Sequence, residues 1–208
     1  MKAINLFIPI FLFASFLAAQ KEVRKTIINP NNQYLKINTR NCYKVELFTG
    51  VSKELEVKAF IEGQYQKDVV VNIEEDGLNM HLSVDYLPSF AIPNDKLGAH
   101  RLVAAIALQI WVPEYTNTSV YGTSSTFFAS GKYRNLKVTL SDGDCTLENV
   151  SEQVEIKTQN GDIHVYAKEG IINAKSIYGI VKVAKIPSGD SNYKLASVEG
   201  NIYVSKTE

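Results

Sequence analysis

Five glycines, Gly122, Gly143, Gly161, Gly179 and Gly200, recur at spacings of 21, 18, 18 and 21 residues, and this repeat constrains the chain more than any other feature. The last four sit in related segments, LSDGDCTL, KTQNGDIHV, KSIYGIVKV and ASVEGNIYV. Five residues before them stand Val138, Ile156, Ala174 and Leu195, and two residues after them Cys145, Ile163, Val181 and Ile202. Apolar residues at even offsets on both sides of a turn mark period-2 strands with one buried face. A repeat of this length predicts that the strands stack into a parallel β-solenoid of about five coils over residues 114–208, with Val138, Ile156, Ala174 and Leu195 in one inward column. Glycine fits the turns because it reaches φ > 0 without a Cβ penalty.

The first residues, MKAINLFIPIFLFASFLAAQ, carry a positive Lys2, an apolar stretch from Leu6 to Leu17 and the small residues Ala18 and Ala19 before Gln20. This is the pattern of an export signal over residues 1–19. No later stretch approaches ~18 uninterrupted apolar residues, so no integral membrane segment is expected after cleavage. The expected location is the periplasm or the cell surface.

Charge narrows the partners. The full chain has 22 basic and 22 acidic residues, and loss of Lys2 leaves a net charge of −1. That balance excludes nucleic acid as an electrostatic partner. The three histidines, His81, His100 and His164, share no metal-ligand spacing. An oxidising compartment invites a Cys42–Cys145 bridge. Against it, Cys145 faces inward while Cys42 is out of phase with Tyr43, Val45 and Leu47, which favours two unpaired thiols.

Residues 20–113 show short alternating strands without a clean repeat, an irregular β region that caps or extends the solenoid. EDG at 75–77 predicts a hairpin turn; 97–109 has the pattern of a short helix, while the run to Pro113 favours a buried strand over about 103–112. The segment 86–101 is irregular and holds Asp95, His100 and Arg101, either a polar binding cluster or part of a cap carrying Phe90, Ile92 and Leu97.

The remaining candidate site is the column of residues after the glycines. Asp144 and Asp162 follow equivalent glycines, with Asp142 close by. Stacked carboxylates suit Ca²⁺ or a glycosidase pair, and Asp is also common in exposed turns. Ile180 interrupts the column. No nucleophile elbow, P-loop, zinc set or dinucleotide fingerprint is present, so the sequence assigns no catalytic residue, no metal and no cofactor.

The exported start, the irregular β region and the segments SDGDCTLENVSEQVEIKTQNGDIHV and SIYGIVKV resemble the adhesin-like β-solenoid proteins of bacterial envelopes, including the head-GIN-type auto-transporter adhesin group. The resemblance covers residues 115–204 best and implies a β-helix, an envelope location and no catalytic residues. It implies a non-enzymatic scaffold or binding module for a protein or glycan of the cell envelope. The alternative is a carbohydrate-active β-helix enzyme using Asp144 and Asp162.

Overall fold

Along the strand 54–62, Leu55, Val57, Ala59 and Ile61 are buried while the residues between them face outward. The same alternation recurs throughout the structure, a computed structural model that describes residues 20–28, 34–90 and 104–207. Among the described residues fifteen strands form one mixed sheet. Its first run, in hydrogen-bonded order, is β1 (Lys21–Ile28), β4 (Glu54–Glu62), β7 (Ala105–Pro113), β3 (Lys44–Gly50), β9 (Thr126–Leu140), β10 (Cys145–Thr158), β11 (Ile163–Ala167), β15 (Ile202–Lys206) and β13 (Val181–Val183). The second run is β5 (Val69–Asp76), β6 (Asn79–Tyr86), β2 (Tyr34–Asn38) and β8 (Asn117–Gly122). It joins the same β9 and β10 and ends in β14 (Asn192–Ser197) and β12 (Ile171–Ser176).

The two long strands carry the sheet from one run to the other. β9 pairs β3 through Thr126–Ser130 and β8 through Asn135–Leu140. Between these halves lies Gly131 at φ 114, and β10 bends at Asn149 (φ 50) and Glu152 (φ 75), where its register against β9 shifts. Left-handed residues and bulges of this kind bend a strand and increase its twist. The sheet therefore curls, like a nearly closed barrel, around a single core. Tyr133 fills the bend of β9, fully buried, with its hydroxyl donating to the carbonyls of Leu47 (3.0 Å) and Ser130 (3.1 Å).

This architecture corrects the expected parallel β-solenoid. β4 pairs antiparallel with both β1 and β7, and β5 with β6, within the same sheet as the parallel glycine-marked strands. Those strands also do not stack in chain order. β15 lies between β11 and β13, and β14 lies between β10 and β12. Period-2 patterning fixes which face of a strand is buried but is blind to strand direction and neighbour order. The long connection AKIPSGDS (184–191) lets the chain return from the edge strand β13 and place β14 and β15 one position further in. The inward column keeps its members in a changed order, Val138, Ile156, Leu195, Ala174.

The glycines have a different job from the one expected. Among the described residues, positive φ at glycine occurs at Gly63, Gly77, Gly131 and Gly170, and at none of the five repeat positions. What four of those positions require is close backbone approach. A Cβ on Gly143 would fall 1.9 Å from the Ser125 carbonyl oxygen, on Gly161 2.0 Å from that of Gly143, on Gly200 2.1 Å from that of Gly161, and on Gly179 2.2 Å from that of Gly200. The backbone of each turn occupies the space a side chain would need.

Two other readings hold. β5 and β6 form the hairpin, its turn opened by Gly77 at φ 59, and β7 is a strand whose Ile106, Leu108, Ile110 and Val112 are buried. Cys42 and Cys145 are both free and both buried, Cys145 stacked between Phe127 and Ile163. Burial, with the charge of Asp85 adding to it, pushes the Cys42 thiol up to about 12, and burial raises that of Cys145 as well. Neither thiol is expected to react with a chromogenic disulfide reagent at pH 8 until denaturant is added, whereupon both should titrate. Rapid labelling of the native chain would contradict this packing.

Candidate interaction surfaces

The turn column is a hydrogen-bond ladder. Asp144 Oδ1 accepts the backbone N–H of Asp162 at 2.9 Å, Asp162 Oδ1 accepts that of Asn201 at 2.7 Å, and Asn201 Oδ1 accepts that of Ile180 at 2.9 Å. Asn201 also donates its side-chain amide to both Asp162 oxygens, and the Asn160 amide donates to Asp142. The sequence thus brings Asp142, Asp144 and Asp162 to one corner of the fold, where these contacts occupy them in holding successive turns together. Among the described residues no three His, Cys, Asp or Glu side chains converge as a metal centre would need. Asp95, His100 and Arg101 lie outside the described residues.

The ladder yields a test. Asp144→Ala or Asp162→Ala leaves a backbone N–H without its acceptor and is expected to cost about 1–2 kcal/mol. Asp→Asn at either position keeps an acceptor oxygen and should be close to neutral. Urea titrations of the four variants check this, and Asn variants as unstable as the Ala variants would show that charge, not the acceptor, matters.

Aromatic side chains cluster on the outer face of the first run. Phe48 stacks on Trp111 with centroids 5.6 Å apart and planes 24° apart, Phe128 lies 5.8 Å from Phe48, and the Lys58 ammonium sits 4.5 Å from the Trp111 ring centre. Further along, His164 stacks on Tyr203 at 5.1 Å. Phe48 and Trp111, and His164 and Tyr203, stack across neighbouring strands, while Phe128 is tilted 49° from Phe48. Such aromatic pairs stabilise the cross-strand pairing.

The outer face of the second run is polar. A shallow hollow of about 630 Å³ lies there, where Asn135, Gln153, Glu155, Asn173, Asn192 and Lys194 are joined in the lining by the apolar Val154, Ile171 and Tyr193. The hydrogen bond from Lys157, with the charges of Lys137, Lys157 and Lys194, holds the Glu155 carboxyl below the usual carboxylate range.

A third surface was only half visible in the sequence. Gly179 stacks on Gly200 at the end of both runs, and its turn breaks the pattern of the others. Where the inner turns carry Asp142 and Asp144, Asn160 and Asp162, or Glu199 and Asn201, this last one carries Tyr178 and Ile180. Ile177 is 60% exposed, Tyr178 79% and Ile180 56%. The turn is nonetheless well held: Ser176 Oγ donates to the Gly200 carbonyl at 2.8 Å and accepts the Gly179 N–H at 2.9 Å. The signal was the replacement of turn-forming polar residues by apolar ones, visible as Ile180 interrupting the column.

No helix among the described residues is long and apolar enough to cross a membrane. No family model and no curated protein matches the chain. Among solved structures it is similar to one described as a "putative cell adhesion protein" from Clostridium sporogenes, with a TM-score of 0.64 and 17% identity, covering 91% of this chain and 100% of that one. Structures described as a "putative adhesin" from Bacteroides fragilis (TM-score 0.37, 12% identity, 91% and 99% covered) and from Parabacteroides merdae (0.32, 9%, 89% and 96%) are more distant. At 17% identity the likeness to the Clostridium sporogenes structure shows a shared all-β fold.

Proposed function

We propose that the chain is an exported, non-enzymatic binding module of the cell envelope, adhesin-like in its role, which presents a rigid β framework to a macromolecular partner. In this reading residues 1–19 direct export, and residues 20–113 and 114–208 act as two parts of one module at the cell surface or in the periplasm. The observation that carries it is the terminal turn, where Ile177, Tyr178 and Ile180 stand exposed side by side on a firmly hydrogen-bonded support. Contiguous exposed apolar residues on an ordered surface mark interaction sites. The fold likeness to a structure described as a putative cell adhesion protein supports the same role. The ladder contacts of Asp144 and Asp162 weigh against the carbohydrate-active alternative, since both carboxylates are engaged in joining turns.

The test is a binding and turnover screen of the mature chain against peptidoglycan, envelope glycans and purified surface proteins, with and without Ca²⁺. Saturable binding of one such macromolecule without turnover is expected. Cleavage of a glycan, lost in Asp144→Asn or Asp162→Asn, would replace this reading with the enzymatic one.

A further inference from the structure

The two runs of the sheet end in strands with one neighbour each, β13 on β15 and β12 on β14. At the opposite end the edge strands are blunted by charge: β1 carries Lys21, Glu22, Arg24 and Lys25, and β5 ends in Glu74, Glu75 and Asp76. Natural sheets protect edges in this way against stray pairing. The β12 end is built differently. Its inward residues Ile172 and Ala174 continue the column of Tyr193 and Leu195, yet they are only half-buried, with no further strand beyond them among the described residues. On β13, Val181 is 38% exposed and Val183 48%, whereas Ile202 and Val204, their partners one strand further in, are fully covered.

Among the described residues no strand pairs with the backbone of β12 on the same side. The N–H groups of Ile171 and Ile177 donate to Ser191 and Ser197, so odd-numbered residues face β14. Alternation then turns the N–H and C=O groups of Ile172, Ala174 and Ser176 toward the open side. Charge narrows what fits there. Residues 168–190 hold Lys168, Lys175, Lys182 and Lys185 against only Glu169 and Asp190. None of these four lysines forms an ion pair among the described residues, and Lys182 lies 5.9 Å from the Tyr203 ring centre. The nearly neutral chain therefore concentrates unneutralised positive charge at its open edge. A second copy would bring the same lysines together, which disfavours self-pairing.

We infer that β12 is a docking edge for an extended segment of a protein partner, alternating apolar and acidic residues, which adds as the next strand and runs on across the Ile177–Ile180 corner. Main-chain hydrogen bonds to Ile172, Ala174 and Ser176 supply affinity, as in other strand additions. The apolar residues of the incoming strand cover Ile172 and Ala174, and its acidic residues face outward toward Lys175 and its neighbours. The inference rests on reading the chain as a binding module and names the partner's chemistry.

The experiment uses the mature chain and two short synthetic peptides, one alternating valine with glutamate and one alternating valine with lysine. Hydrogen exchange of the β12 amides and fluorescence anisotropy report binding. The glutamate peptide is expected to protect Ile172, Ala174 and Ser176, with affinity falling as salt rises. Ala174→Pro removes an N–H that the internal ladder does not use, a position where an edge strand tolerates proline, so the melting temperature should hold while binding drops at least tenfold. Lys175→Glu should weaken the glutamate peptide to a similar degree and admit the lysine peptide. Equal binding of both peptides, no protection at millimolar glutamate peptide, or a chain dimer that Ala174→Pro dissociates would each overturn the inference. A mature chain that still binds its envelope target as the Ala174→Pro variant sinks this inference alone, whereas one that binds no envelope macromolecule sinks the proposed function as well.

Discussion

Replacing Gly161 with alanine is expected to destabilise the fold by more than about 4 kcal/mol, among the largest effects a single methyl group can have. The added Cβ would lie 2.0 Å from the carbonyl oxygen of Gly143 and 2.5 Å from its carbonyl carbon. Both are backbone atoms in a stacked turn and have no rotamer into which to retreat. Relief requires the turns to separate, which would also pull the Asp144 carboxylate away from the Asp162 N–H. Gly77→Ala is the informative comparison. Nothing lies within 4 Å of its Cβ position, but its φ is +59°, so only backbone strain of about 1 kcal/mol is expected. Thermal melts of the two variants separate crowding from conformation. Equal losses would mean that the repeat glycines serve φ after all.

Val165→Asp should be equally damaging for a different reason. Val165 stacks between Leu147 and Val204 and is almost fully buried, so a carboxylate there meets apolar neighbours and no cation. An unpaired charge in such a place costs several kcal/mol and commonly abolishes folding. Ile163→Asp, at a fully buried position stacked directly between Cys145 and Ile202, should behave alike. Tyr166→Asp, the next residue along β11 but outward-facing and 40% exposed, should leave the fold intact. Circular dichroism of the three proteins reads the alternation directly. A folded Val165→Asp would place the core elsewhere.

Inward and outward faces were legible because strand side chains alternate regardless of what a strand pairs with. Val138, Ile156 and Leu195 could therefore be assigned to one column, and β7 recognised as a strand, before any neighbour was known. Neighbour order was not legible. Nothing in the spacing of Gly179 and Gly200 says that the later turn stacks inside the earlier one, because that order depends on the 184–191 connection and on which edge buries more. Nor do the antiparallel partners of β4 leave a mark distinct from those of a parallel strand. The site residues show the same division. Proximity of Asp144 and Asp162 followed from the repeat, while their engagement by backbone N–H groups belongs to turn geometry. Tyr178 and Ile180 stood in the sequence as exceptions to a polar pattern, and their meaning required knowing that their turn comes last in the stack.

The most direct measurement of the central claim is binding of the mature chain to envelope material before and after Tyr178→Ser and Ile180→Asp are introduced together. Both side chains are exposed, and their turn is held by Ser176, Asn201 and backbone contacts that the substitutions leave in place. The account predicts an unchanged melting temperature and a loss of binding of at least tenfold, because the apolar corner is removed without disturbing its support. Undiminished binding by a folded double variant would contradict it and move the interaction surface elsewhere on the sheet.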